Sequence, residues 1–274
     1  MTSVLLAIEP KLHLVAAVFY AAAFVALILE TILRKNTGRL ALAAAVVGFA
    51  LHTAAIVARW IAVGHGPVVT KYENLSAYAF ATAAIALFMQ LRRASLKQLG
   101  LVLYPVAFLL LGVGLFSGTQ GQNLPPTFSG IWLVLHVCFY FLAFGTGVTA
   151  TGASVLLIGR SGAGEERAGR ASTEELDGTA YRYAGLAFSF WGIGMLTGAI
   201  WAFNAWGRYW AWDPVETWSL VTWLVFGAYL HLRRFYRWEG RRAAWLLVVC
   251  FGFALMSLFG TTLLSNSLHS VYFK

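Results

Sequence analysis

Eight runs of apolar residues, each long enough to cross a bilayer, leave this chain few ways to fold. They cover about 12–33, 40–63, 75–91, 99–116, 131–158, 183–203, 215–236 and 243–264. A hydrocarbon core about 30 Å thick takes about 20 helical residues, and its backbone amides must be satisfied inside the segment because no water is there to do it. The expected fold is therefore all-α, a polytopic membrane bundle of about eight transmembrane helices. With 59% hydrophobic and 11% charged residues, the 274-residue chain is too apolar for a soluble domain. No internal repeat or low-complexity segment breaks it, so residues 1–274 read as a single membrane domain.

The charges give an orientation. Fifteen of the 20 Lys and Arg fall between runs 1 and 2, 3 and 4, 5 and 6, and 7 and 8, while Lys11, Arg59, Lys71, Arg208 and Lys274 fall on the opposite side. The positive-inside rule makes the first set cytoplasmic and puts both termini outside. The formal charge of +9 is then a topology signal and not a nucleic-acid footprint. The first run has no basic segment before it and is long enough to span, so it is expected to act as its own signal, uncleaved. Cys138 and Cys250 lie inside runs, which supports neither a disulfide framework nor a thiolate metal site. The chain contains no C-x-x-C-H, the haem attachment sequence of c-type cytochromes.

Between runs 6 and 7 lies Trp206 to Glu216, WGRYWAWDPVE, with Trp201 and Trp218 on its flanks. If this stretch is helical, Trp206, Trp210 and Asp213 share one face with Trp212 beside it, forming a flat aromatic floor large enough for a porphyrin. The alternative is an interfacial tryptophan belt. The stretch also contains a helix start: Asp213 as N-cap, Pro214 in the first turn and Glu216 as the third-position carboxylate of a capping box. Residues 203–216 are thus expected to form an external platform ending where the next span begins. Asp213 and Glu216 serve there as caps and supports, not as proton donors.

Histidine in an apolar helix needs a partner or a purpose. His136 lies roughly 9 Å into run 5 from its outer end, and His269 follows run 8 on the outer side. Both are within reach of the platform, and two imidazoles on opposite faces would complete six-coordinate haem iron; structural hydrogen bonding is the alternative. His231 lies about 25 Å down run 7 from Pro214, so one haem cannot touch both it and the outer tryptophans. It marks either a second haem position or a structural histidine. His52, on one face with Arg59, reads as structural; His13 and His65, near the outer surface, carry no signal. Arg59, Lys71 and Arg208 could meet haem propionates or snorkel.

The pattern N-x-x-W-G-x-x-W-x-W-D-P-x-E-x-W, carried here by Asn204, Trp206, Gly207, Trp210, Trp212, Asp213, Pro214, Glu216 and Trp218, resembles the tryptophan-rich signature of haem-handling membrane proteins. The CcsA family, also called ResC, of system II cytochrome c biogenesis is the nearest group. Tyr72-Glu73-Asn74 and Leu176-Asp177 followed by Tyr181-Arg182 also resemble family segments. Val215 departs from the family, where lysine is common, and matches the related CcmF group, from which the chain differs in length.

The resemblance implies a holocytochrome c synthase-type lyase that takes up haem b and presents it outside. There it would be joined through thioether bonds to C-x-x-C-H of apocytochrome c. It implies haem-iron ligation by His136, His269 and His231, with Trp206, Trp210, Trp212 and Asp213 holding the cofactor; no catalytic acid or base is singled out. It also implies a CcsB/ResB-like membrane partner, which would supply the second ligand opposite His231. The expected location is a bacterial plasma membrane, with the haem site periplasmic or extracellular, in preference to a thylakoid. The rival reading is a b-type electron-transfer cytochrome with permanently bound haem, although only the outer ligand pair is clear. A haem-free transporter is disfavoured by an apparent lack of paired carboxylates within the membrane.

Overall fold

The computed structural model describes residues 2–160 and 171–260. They form helices α1 Thr2–Thr31, α2 Gly38–Val63, α3 Lys71–Arg92, α4 Gly100–Phe116, α5 Ile131–Ile158, α6 Thr173–Trp206, α7 Pro214–Phe235 and α8 Gly240–Leu255. A 3-10 turn, Ala94–Leu99, leads into α4, and a π-helical turn, Met256–Gly260, continues α8. Among the described residues, seven helical segments are long and apolar enough to cross a membrane. Of the eight runs expected, α7 does not qualify. It has 22 residues, but Glu216, His231, Arg233, Arg234 and its hydroxyl and indole groups make it less apolar than the rest.

Helix α1 starts ten residues before the expected span, drawing Glu9, Pro10 and Lys11 into the helix. The sequence reading stopped at the charges, whereas the fold buries Glu9 completely. Intramembrane helices gain nothing from hiding oily side chains from oily lipid, so close packing of small residues and interhelical hydrogen bonds must hold them. The buried positions match that rule: Ala16, Ala17, Ala23, Ala26, Ala41, Ala45, Ala55, Ala79 and Ala83 are all at most 2% exposed.

The chain divides into two compact units, 1–124 and 125–274. In the first, α1 packs on α2 and α4, and α3 packs on α4 and α2. In the second, the long α5–α6 pair is joined by α8 against α5 and by α7 against α6 and α8. Glycine permits the closest approaches within that unit: a Cβ on Gly194 would press on the Tyr140 ring, and one on Gly198 would overlap the His136 imidazole.

Candidate functional site

In the second unit, His136 on α5 faces α6. Its Nδ1–H donates to the Gly194 carbonyl at 2.8 Å, a carbonyl that also accepts from the Thr197 hydroxyl. A carbonyl can only accept, so the neutral ring keeps its lone pair on Nε2, the arrangement in which imidazole binds a metal with its other nitrogen anchored. The ring lies nearly parallel to Trp201, with centroids 6.0 Å apart and planes at 20°. Trp201 in turn meets Trp206 edge-on at 4.8 Å, and its indole N–H is held by the Thr127 carbonyl at 2.9 Å.

Below His136 sits Tyr140, edge-on at 4.9 Å, with its hydroxyl bonded to Ser219 Oγ on α7. Trp191 on α6 donates to the same oxygen at 2.8 Å. Helices α5, α6 and α7 are thereby fastened under the histidine by one polar knot.

The tryptophan-rich segment is not a helical face. Helix α6 ends at Trp206 because Gly207 takes the left-handed conformation, φ 73°, and returns its N–H to Phe203; in glycine that turn is unstrained. Residues 207–213 form a loop, so Trp206 belongs to the end of α6 while Trp210 and Trp212 meet each other edge-on at 5.8 Å within the loop. Trp212 has φ 58°, an uncommon value for a residue with a side chain, and the residue is 69% exposed. The loop's geometry thus holds a large indole in the open. Trp210 is more sheltered, and its indole Nε1 is buried with no hydrogen-bond partner among the described residues.

The helix start falls where the sequence put it. Asp213 caps α7, accepting from Val215 N at 2.9 Å, Pro214 occupies the first turn, and Glu216 completes the capping box. Glu216 Oε2 also accepts from Ala211 N at 2.7 Å and Asp213 N at 3.2 Å, tying the loop to the helix. Replacing Asp213 by alanine is expected to lower stability by about 0.5–2 kcal/mol, the usual value of an N-cap. A thermal shift of the purified protein, with helix content unchanged, would measure it.

His231 lies at the opposite end of α7. Its ring is exposed, tilted against Phe235 and Tyr236 at 4.7 and 5.9 Å. Two residues on, Arg233 grips Asp177 at the start of α6 through both carboxylate oxygens, at 2.9 and 2.7 Å, and lies over the Tyr181 ring. Asp177 also accepts from Gly240 N, where α8 begins. The Leu176-Asp177 and Tyr181 positions thus lock the starts of α6 and α8 to the end of α7, beside His231. His269 lies outside the described residues.

The first unit holds a group that the sequence reading missed. His13, expected to sit near the surface without consequence, is 1% exposed and contacts Glu9, Tyr72 and Ser76. Arg59, expected to be available to propionates, is also 1% exposed. It donates to Glu9 at 2.9 Å, to Glu73 at 2.8 Å, and to the carbonyls of Thr119 and Gln120. Four of its five N–H groups are thus committed inside the unit, and the buried side chain is not an open site for a propionate. Glu9 and Glu73 are therefore paired carboxylates within a helical unit, the feature whose apparent lack had counted against a transporter. The signal available was the Glu9 to His13 spacing of four residues, one helical turn, passed over because the predicted span began at Leu12.

Among the described residues no cluster of three or more His, Cys, Asp or Glu has metal-site geometry. The described residues of the second unit offer instead an anchored imidazole, an aromatic stack beside it and, in the loop, an exposed indole near a buried N–H with no partner among them. That donor set suits a flat aromatic ligand whose metal takes axial nitrogen.

Among the described residues, seven helices long and apolar enough to span, with a tryptophan-rich loop capped onto α7, make this a polytopic helical membrane protein. A model of the cytochrome c assembly protein family matches residues 68–269. The chain is 34% identical over 226 residues to cytochrome c biogenesis protein CcsA of Chlamydomonas reinhardtii, covering 80% of this chain and 64% of that protein. It is 31% identical over 264 residues to CcsA of Synechococcus elongatus, covering 78% of this chain and 81% of that one. CcsA of Thermosynechococcus vestitus is 33% identical over 266 residues, with coverage of 80% and 82%. The chain belongs to the CcsA family of cytochrome c biogenesis proteins, and its role lies in cytochrome c maturation.

Proposed function

We propose that this protein is the haem-presenting component of a cytochrome c synthase, receiving haem b and holding it on the external face while it is joined to C-x-x-C-H of apocytochrome c. The observation that carries this reading is His136: its Nδ1–H is fixed on Gly194, Nε2 is the lone-pair nitrogen, and Trp201 flanks the ring. His136 and His269 would hold the haem iron. Trp206, Trp210 and Trp212 form the aromatic surround, the Trp210 N–H meets a propionate, and Asp213 holds the loop in place. Bound there, haem supplies its two vinyl groups to the cysteine thiols. The chain's own contribution is orientation and exclusion of water, which convert an encounter of two molecules into reaction of a held pair.

His231 is the ligand of a second, cytoplasmic-side position. Its distance from the outer tryptophans, about 25 Å along α7, rules out one shared haem, and the sixth ligand there comes from a CcsB-like membrane partner. The basic loops on that face attract the anionic propionates. The membrane is a bacterial plasma membrane, and both termini lie outside.

The test is spectroscopic. Protein purified with its partner should bind haem with a bis-histidine spectrum and transfer it covalently to a C-x-x-C-H peptide. A chain that keeps its haem and reduces or oxidises a quinol would instead be a b-type electron carrier. Expressed alone, the chain should leave the inner position empty or five-coordinate, and two bis-histidine haems in the isolated chain would overturn the partner assignment. Gly198→Ala should act like a partial loss of His136, since the added methyl group overlaps the imidazole. Haem content should fall several-fold while the chain still inserts.

A further inference from the structure

The Arg59 cluster does not balance its own charge. Arg59 contributes one positive charge and Glu9 and Glu73 one negative charge each, so with neutral rings the group carries a net charge of minus one. All three side chains are at most 2% exposed, as are His13 and Tyr72, and although the Val69 and Thr70 amides meet Glu73 Oε2 at the start of α3, a net charge in such a place is costly. One bound proton brings the cluster to zero.

The hydrogen bonds point to where that proton sits. The Tyr72 hydroxyl donates to Glu9 Oε2 at 2.6 Å. His13 Nδ1 lies 2.7 Å from that hydroxyl oxygen and 3.0 Å from the same carboxylate oxygen. Both oxygens face the ring as acceptors, so Nδ1 carries hydrogen. On the other side of the ring, His13 Nε2 is 2.8 Å from Ser76 Oγ. The same oxygen is 3.0 Å from His52 Nε2, and His52 Nδ1 is 3.1 Å from the Tyr20 hydroxyl.

One serine O–H thus stands between two imidazole nitrogens. It donates to one ring and accepts from the other, and once a proton is added to the pair the two choices differ in which ring holds it. Tyr20 stacks on Tyr104, which closes the inner end. A small cavity bordered by His13, Arg59, Glu73 and Ser76, with room for about one water molecule, adjoins the outer end.

We propose that the first unit contains a membrane-buried proton-binding site, loaded at His13 beside Glu9 and Arg59, with Ser76 passing the proton between His13 and His52. The transfer balances without a co-reactant. Protonated His13 gives its Nε2 hydrogen to Ser76 Oγ while Ser76 gives its own hydrogen to His52 Nε2. His13 is left neutral with hydrogen on Nδ1. His52 becomes the imidazolium, donating from Nδ1 to the Tyr20 oxygen. Serine ends with the hydrogen count it began with, no electrons move, and a water in the cavity is the exchange partner with bulk solvent. Chains of acid and histidine in membrane helices serve proton transfer elsewhere, and here the heavy atoms already stand at hydrogen-bonding distance in both states.

The experiment uses the full chain in lipid bilayers with nitrogen-15-labelled histidine, read by solid-state NMR at neutral pH and assigned with His13→Asn and His52→Asn. The wild type should show one imidazolium shared by these two rings. Glu9→Gln, which removes the excess negative charge, should leave both rings neutral, and Glu73→Gln gives the same reading if the first variant does not fold. Ser76→Ala should keep the imidazolium on His13 and stop its exchange with His52. Two neutral rings in the wild type, or an imidazolium that survives both glutamine variants, would overturn the site. Exchange undiminished in Ser76→Ala would overturn the relay.

Discussion

His136→Ala is expected to abolish covalent cytochrome c formation while the protein still inserts and accumulates. The ring is an anchored imidazole of the second unit, its Nδ1–H fixed on Gly194, and removing it would delete the iron ligand proposed above. It leaves the α5–α6–α7 fastening through Tyr140, Ser219 and Trp191 in place. Haem content and covalent cytochrome yield, measured in parallel, should both drop by more than an order of magnitude. Added imidazole should restore part of the yield, because a small ligand can refill a missing axial position but cannot repair a packing defect. Wild-type yield from the variant would remove the ligand assignment.

Arg59→Leu should have the largest effect on stability in the first unit. It strands Glu9 and Glu73, both buried, and releases the carbonyls of Thr119 and Gln120. Breaking a buried pair from one side costs about 3–5 kcal/mol because the remaining charge loses its ion partner, even though Glu9 keeps Tyr72 and His13 and Glu73 keeps the Val69 and Thr70 amides. Accumulation in the membrane should fall sharply, and thermal unfolding in detergent should move to lower temperature. Adding Glu9→Gln and Glu73→Gln to the same chain should recover part of the loss, since neutral amides are less costly to bury. Arg59→Lys should lie between, because an ammonium can pair with a carboxylate but lacks the planar fork that reaches four acceptors at once. If Arg59→Leu is as stable as the wild type, the cluster contributes nothing to holding α1, α2 and α3 together.

The sequence located seven of its eight expected spans, α7 falling short in apolar character, because a bilayer imposes a length and a composition on every crossing, and both can be counted without knowing a neighbour. It located the start of α7 because an N-cap, a first-turn proline and a third-position glutamate act within one turn of chain. Gly207 was equally local, yet its role went unread. Taking the tryptophans as a helical face ignored a glycine placed where a left-handed turn ends α6.

Reading the histidines one at a time singled out His136 because its neighbours are a signal in their own right. It failed for His13. That residue's meaning depends on Glu9 one turn away, on Tyr72 and Ser76 of α3 and on Arg59 of α2, and no spacing along the chain encodes which of three helices meet. The same holds for Asp177 and Arg233, 56 residues apart and bound through two hydrogen bonds. By itself the sequence determined what the bilayer and the single helical turn control: class, spans, caps and the tryptophan-rich segment. Only tertiary structure decided which charges are buried together, because pairing in a low-dielectric interior is set by which helix faces come into contact, and that contact is a property of the packed unit.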